Sequence, residues 1–261
     1  MLILGVNLLD NYEIYNIFDE PIPYFKNKED TTPLLIYPVL MENYIIFNSC
    51  TRCLILEKNR TPDIKTISMS YLDYIFYYSD LNKDNEVYLH SLLTLLGICL
   101  RSDIQDVLID KDNRHYLKIQ DNIYDKNDFN KIKEIICSQN MVDLPDETIH
   151  PSIRKALKEE ADFKRRNSGN NEYPPSLEKQ IICLMESMHW SKEQIKKITI
   201  RTFVQLIQTI DYKIHYKIYK AASMSGMVTF EKEIPHWMSD IKTKETGTRI
   251  NLDKFKEDIK K

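Results

Sequence analysis

The sequence predicts a mainly α protein of the α+β class, in which helices carry most of the core and one β-hairpin is small. Hydrophobic residues make up 43% of the 261 positions, which is enough to build a core. Glycine occurs only 5 times, whereas nucleotide-binding folds use several glycines to bring backbone close to phosphate. Apolar residues recur at helical spacing over much of the chain, and strand-like runs are short.

Proline and charge divide the sequence into regions. Pro145, Pro151, Pro174 and Pro175 cluster around a strongly charged helix candidate, Arg154–Arg166, which is typical of a linker between domains. The predicted regions are an α+β domain at 1–142, a linker with a charged helix at 143–175, a helical domain ending in a short extended arm at 176–238, and a charged tail at 239–261.

The first region begins with two strand candidates, Met1–Val6 and Leu34–Tyr37, joined by an irregular connection that contains Pro21 and Pro23. Helical spacing of apolar residues then predicts three helices. The last of them is apolar on most sides and is therefore expected at the centre of the core. The three predicted helices are Leu40–Lys58, Ile64–Tyr78 and Glu86–Leu100.

A β-hairpin is predicted where the pattern changes after the third helix. Asp106–Asp110 and His115–Ile119 flank the polar turn Lys111–Arg114. Helical spacing returns at Asp128–Ser138, and we expect Asp128 to be the N-cap and Asn140 to end this helix.

The helical domain carries the clearest local signals. Ser176 is a capping residue, and Ser191 with Gln194 three residues later forms a capping-box pattern. One long helix is predicted from this box to Ser225, with an apolar stripe that we expect to be buried in the domain's own core. The stripe comprises Ile195, Ile198, Phe203, Leu206, Ile207, Ile210, Ile214 and Ile218.

Motifs for catalysis or cofactor binding are missing from the sequence. Cys50 and Cys53 form a lone C-x-x-C within a predicted helix, and no second pair or histidine stands at zinc-ligand spacing, so we interpret them as core cysteines. Asp110–Asn113 lacks the glycine and closing glutamate of a calcium loop. We therefore expect no enzymatic activity, no cofactor and no metal. No apolar run reaches the roughly 18 residues that a membrane span needs.

Charge is distributed unevenly. Residues 1–150 hold 14 basic and 24 acidic residues, a net charge of −10, whereas residues 151–261 hold 22 and 15, a net charge of +7. The basic half presents lysines and tyrosines opposite its apolar stripe, which indicates either a solvated helix face or a binding surface. The predicted partner-binding residues are Lys192, Lys196, Arg201, Tyr212, Tyr216, Tyr219 and Trp237.

Five segments resemble assembly proteins of tailed bacteriophages, namely Ile195–Phe203, Asp211–Tyr219, the Gly226–Trp237 arm, Pro33–Val39 and Met69–Leu72. The wider resemblance is to tail assembly chaperones and baseplate hub assembly proteins, which have no catalytic residues. It implies a non-enzymatic protein that binds other tail or baseplate proteins, in the host cytoplasm or in the virion. A homo-oligomer and a nucleic-acid-binding module that uses the basic half remain open alternatives.

Overall fold

The computed structural model of the protein describes residues 11–27, 32–58, 63–81, 86–102, 107–109, 115–119, 122–144, 149, 151–167, 175–225, 234 and 236–238. Within them the protein is mainly helical with two small antiparallel sheets, which confirms the predicted fold class. The predicted strand Met1–Val6, the hairpin turn 111–114, residues 227–233 of the arm and the tail lie outside the described residues. Two compact units are formed, by residues 1–206 and 207–261.

Helices and strands of the described chain alternate irregularly. They are α1 (Asn11–Ile17), β1 (Ile22–Tyr24), β2 (Leu34–Ile36), α2 (Tyr44–Cys50), α3 (Ile64–Ser68), α4 (Tyr71–Leu81), α5 (Glu86–Leu100), β3 (Val107–Ile109), β4 (His115–Ile119), β5 (Asn122–Tyr124), α6 (Lys126–Gln139), α7 (Pro151–Asn167), α8 (Leu177–Met188), α9 (Lys192–Lys196) and α10 (Ile200–Met224). Short 3₁₀ turns at Met41–Asn43 and Thr51–Cys53 precede and follow α2.

Both sheets are small and antiparallel. Strands β1 and β2 pair with Ile22 opposite Ile36, so the sequence prediction of an irregular connection around Pro23 is wrong there. A proline is tolerated because a two-stranded sheet consists of edge strands. Strands β3 and β4 form the predicted hairpin, with Val107 opposite Leu117, and β5 extends it on the other side of β4.

The centre of the first unit is helical. Helix α4 packs against both α5 and α6, and each of the three helices has fully buried apolar side chains. This arrangement confirms the prediction that the most apolar helix, α5, lies in the core. The buried residues of the three helices include Leu72, Ile75, Leu92, Leu95, Leu96, Phe129 and Ile132.

Two predicted helices are interrupted. Helix Leu40–Lys58 ends early because the Tyr71 hydroxyl donates to the Cys53 carbonyl at 3.2 Å and accepts from the Leu56 amide at 2.6 Å, which occupies backbone groups that a longer helix needs. Helix Ile64–Tyr78 divides into α3 and α4, because the Ser70 hydroxyl accepts from the Asp73 amide at 3.1 Å and starts a new helix.

The caps of α6 correct one prediction and confirm another. Asp125, rather than Asp128, is the N-cap, and its carboxylate accepts from the amides of Asn127 and Asp128. Asp128 completes a capping box by accepting from the Asp125 amide at 2.9 Å, and it also accepts from the Tyr24 hydroxyl at 2.6 Å. Asn140 is the C-cap, as the sequence predicts.

The long helix predicted from the Ser191 capping box is wrong, because α9 ends at Lys196 and α10 begins at Ile200. The connecting backbone pairs with the N-terminal part of the chain. The Met41 amide donates to the Ile198 carbonyl at 2.9 Å, and the Ile200 amide donates to the Val39 carbonyl at 2.9 Å. These bonds lie on either side of a bridge between Leu40 and Thr199. A continued helix would leave the residues around Leu40 without these partners.

Candidate functional site

An apolar groove of about 340 Å³ opens in the first unit between α2, α8 and α9. Aliphatic side chains form its walls, and charged residues lie at its edges. It is lined by Met41, Glu42, Tyr44, Ile45, Leu177, Glu178, Ile181, Ile182, Lys192, Ile195 and Lys196.

The groove exposes aliphatic surface on two of the described helices. Ile45 on α2 is 72% exposed and Ile182 on α8 is 54% exposed, whereas Met41 and Ile195 are buried. Large side chains that are half or more exposed on two facing elements make a contiguous apolar patch. Such patches mark interaction surfaces more often than isolated exposed residues do.

Helix caps hold the wall of the groove in place. The Ser176 hydroxyl accepts from the Lys179 amide at the start of α8, and His189 ends this helix in the left-handed conformation with a φ of 56°. Ser191 and Gln194 then form the capping box of α9. The caps at Ser176 and Ser191 confirm the sequence predictions, and His189 with the Ser191 capping box fixes the short turn between the two helices.

Three of the seven predicted partner-binding residues belong to the first unit, and two of these three line the groove. Lys192 and Lys196 are exposed at its edge, where the Lys196 ammonium donates to the Glu193 carboxylate at 2.7 Å. Arg201 lies away from the groove lining: its guanidinium donates to the carbonyls of Ser138, at 2.7 Å, and Gln139, at 3.4 Å. The groove therefore brings together the two lysines but not Arg201.

The other four predicted residues belong to the second unit. Tyr212, Tyr216 and Tyr219 stand at i, i+4 and i+7 on α10 and so share one side of the helix. Trp237 is half-buried, and its ring centre lies 5.7 Å from the Lys213 ammonium. Since the neighbouring His236 ring is 5.1 Å from Tyr216, the described end of the arm contacts the tyrosine side of α10.

The apolar stripe on the opposite side of α10 is less buried than the sequence predicts. Ile195 and Phe203 of the predicted apolar stripe are buried in the first unit, as expected. In the second unit, however, Ile214 is 50% exposed and Ile218 is 56% exposed, so this part of the stripe does not lie in a core of its own. Its spacing is that of a helix that buries one face, and the described residues leave that face partly uncovered.

The cysteines behave as core residues. Cys50, Cys53, Cys99 and Cys137 are buried, which confirms the interpretation of the C-x-x-C pair. Burial raises the pKa of each of these four thiols, that of Cys137 to about 11. Among the described residues, no three histidine, cysteine or acidic side chains are grouped as metal ligands.

The sequence did not predict the groove, because its lining residues come from segments that are far apart in the chain. The signal that was available is local: Ile45 and Ile46 are consecutive isoleucines on a short helix, and only one side of that helix can face the core. Both are exposed in the structure, whereas Phe47 and Cys50 are buried.

Comparisons with known proteins give one match. Residues 165–242, which span α8 to α10, match the family model of the YomV second domain, a phage-derived family. This similarity indicates a phage protein. No curated protein and no solved structure matches the chain. Among the described helices, none is long and apolar enough to span a membrane.

Proposed function

We propose that this phage protein is a non-enzymatic binding factor of tail or baseplate assembly, acting as a chaperone or as a structural hub component. The apolar groove between α2, α8 and α9 is the observation that supports this proposal best, because it exposes Ile45 and Ile182 above a buried floor. The family similarity to YomV covers the wall formed by α8 and α9. The sequence resemblance to tail assembly proteins supplies the class of partner.

The occupant we infer is an amphipathic helix of another tail or baseplate protein. A groove bounded by helices accepts a helix that places its apolar side chains between them. The edges offer both signs of charge, with Glu42 and Glu178 as well as Lys192 and Lys196 in the lining. Charged residues beside the apolar stripe of a partner helix would set its orientation, while the isoleucines would supply most of the affinity.

The edge chemistry favours a protein partner over nucleic acid. Lys196 is already paired with Glu193, and two glutamates share the groove with the lysines. A phosphate backbone requires an excess of positive charge along its path, whereas this edge is balanced.

Co-expression with the tail and baseplate proteins encoded beside this one, followed by size-exclusion chromatography, tests the proposal. We expect one of them to co-elute with the wild-type protein. The double variant Ile45→Asp with Ile182→Asp should weaken this complex by at least about tenfold, because it places two charges in the apolar contact. Its urea unfolding midpoint should stay close to wild type, because both positions are exposed.

Ile64→Asp is the matched control, since Ile64 is 83% exposed on α3 and does not line the groove. This control should bind like the wild type. Absence of any co-eluting tail protein would contradict the assembly role. Equal loss of binding in the control would contradict the groove as its site, and retention on DNA at about 50 mM salt would favour the nucleic-acid alternative.

A further inference from the structure

A second cavity in the first unit has the opposite chemistry to the groove. It has a volume of about 470 Å³ and lies between Lys58, the junction of α3 and α4, and the part of α6 from Lys126 to Glu134. Polar and charged side chains form most of its wall. Its lining is Lys58, Ser68, Met69, Ser70, Tyr71, Lys126, Asn127, Asn130, Lys133, Glu134 and Leu144.

The cavity concentrates positive charge in an acidic part of the protein. Among the described residues of its lining, Lys58, Lys126 and Lys133 carry positive charge and Glu134 carries the one negative charge. Residues 1–150 as a whole carry a net charge of −10, so three lysines around one cavity run against the local composition. A concave site lined by several ammonium groups has a positive local potential, which attracts anions.

Lys133 is the deepest of the three lysines. It is only 9% exposed, and its ammonium lies 3.4 Å from the centre of the Tyr71 ring. The ring is held in turn by the hydrogen bonds of its hydroxyl to the backbone of Cys53 and Leu56. An ammonium group in such a position attracts an anion more strongly than an exposed one does, because less water screens its charge.

A second ammonium is also positioned by the fold, because Lys58 donates to the Met69 carbonyl at 3.3 Å. Groups that are ordered before a ligand arrives lose less entropy when they bind it. Lys126 is exposed at the first position of α6 and also lines the cavity.

The neutral donors of the cavity are limited. The first amides of α6 are already bonded to Asp125, so the end of this helix does not supply the site. The Ser68 and Ser70 hydroxyls bond to the Lys65 carbonyl and the Asp73 carboxylate, respectively. The side chains of Asn127 and Asn130 remain in the lining as amide donors beside the three lysines.

We propose that this cavity binds a small phosphorylated ligand. Three ammonium groups match a di-anionic or more highly charged oxyanion better than a single carboxylate, and lysine is a common phosphate binder. The volume exceeds that of one phosphate group and lies within the range of small-ligand pockets, so the phosphate is part of a larger molecule or of a diphosphate. The site is separate from the apolar groove, and its occupation does not depend on the proposed assembly role.

Isothermal titration calorimetry of the full chain with pyrophosphate and with ADP at low ionic strength tests the site. We expect saturable binding that weakens as sodium chloride is added, because salt screens the lysines. Lys126→Gln should reduce the affinity about tenfold, the effect of losing one charge-assisted contact. Stronger binding of ADP than of pyrophosphate would identify an organic phosphate, and the reverse order an inorganic one; both outcomes support the proposal.

Lys131→Gln is the matched control, because Lys131 is exposed on α6 but does not line the cavity. It should bind both probes like the wild type. Lys133→Met tests the deep position, with its urea midpoint measured in parallel to separate loss of binding from loss of folding. No saturable binding up to about 10 mM of either probe would overturn the proposal. So would equal weakening by Lys131→Gln, or binding of a single-stranded oligonucleotide without binding of the small anions.

Discussion

The Arg201 guanidinium donates a hydrogen bond of 2.7 Å to the Ser138 carbonyl, at the C-terminal end of α6. The carbonyls at this end of a helix have no partner within the helix and carry partial negative charge. Arg201 thus stabilises the junction between the start of α10 and the end of α6. A residue predicted from the sequence to contact a partner has a structural role inside the first unit.

Replacement of Arg201 by methionine should lower the free energy of unfolding by about 1–2 kcal/mol, because it removes charged donors from helix-terminal carbonyls. Urea unfolding followed by circular dichroism measures this loss. Lys197→Met is the control, since Lys197 is exposed at the end of α9. If Arg201→Met keeps the wild-type midpoint but no longer binds the partner, Arg201 acts in binding and its bond to Ser138 contributes little.

The cap of α6 should make stability depend on pH. The hydrogen bond from the Asp128 amide, followed by that from Asn127, holds the pKa of Asp125 below its usual value. A carboxyl group with a lowered folded-state pKa contributes stability above its unfolded pKa of about 3.9 and loses it as the pH falls through the folded value. Asp125→Ala should therefore cost about 1 kcal/mol at pH 7 and progressively less below about pH 4.

Asp125→Asn separates the charge from the cap, because asparagine caps helices about as well as aspartate but does not titrate. This variant should keep most of the stability at pH 7 and lack this part of the pH dependence. Urea midpoints of the three proteins between pH 3 and pH 7 give the comparison. A constant difference between wild type and Asp125→Ala at every pH would show that the carboxylate charge is not involved.

Thiol reactivity should distinguish Cys183 from the other four cysteines. Cys183 on α8 is partly exposed, whereas Cys50, Cys53, Cys99 and Cys137 are buried and have raised pKa values. Since the thiolate is the reactive form, the native protein at pH 8 should show fast reaction of Cys183 alone with a disulfide reagent. All 5 cysteines should react in denaturant.

Cys183→Ser is the corresponding control, and it should abolish the fast phase without changing the slow one. A fast phase that persists in this variant would mean that one of the four core thiols becomes accessible in the native protein.

Trp237→Ala should weaken partner binding by about tenfold or more if Trp237 anchors a partner, because buried tryptophans dominate many interfaces. Its described ring contacts are with His236 and, at 5.7 Å, with Lys213, so far-UV circular dichroism should show little loss of helix. Met238→Ala is a neighbouring control at a position that is 70% exposed. A large loss of helicity would instead assign Trp237 to the support of α10.

Local signals predicted much of the fold, because the physics that determines those elements is local. Apolar spacing defined α5 and α6, and the hydroxyl of Ser191 marked the start of α9. The sequence analysis assigned the N-cap of α6 to Asp128 instead of Asp125, and both residues belong to the same capping box. Short elements such as α1 and β5 have too few residues to show a period.

Long-range contacts determine what the sequence did not predict. The break before α10 depends on the β-bridge between Thr199 and Leu40, and no local sequence pattern predicts this bridge. The two sites depend on tertiary structure in the same way. Ile45 and Ile182 both line the apolar groove, and Lys58 and Lys133 both line the polar cavity, although the residues of each pair are far apart in the chain. Helical periodicity gives the face of a residue but not its neighbour from another element.

The hydroxyls of Thr199 and Thr202 donate hydrogen bonds to the Asp19 carboxylate, at 2.7 Å and 2.6 Å. These bonds affect the order in which the chain can fold during its synthesis. The Thr199 hydroxyl reaches a carboxylate 180 residues earlier in the chain, and the backbone beside it completes the pairing with Val39 and Met41. During translation, these bonds can therefore form only after residues 198–202 have left the ribosome. Contacts of such high sequence separation slow folding, because a long loop has to close before they form.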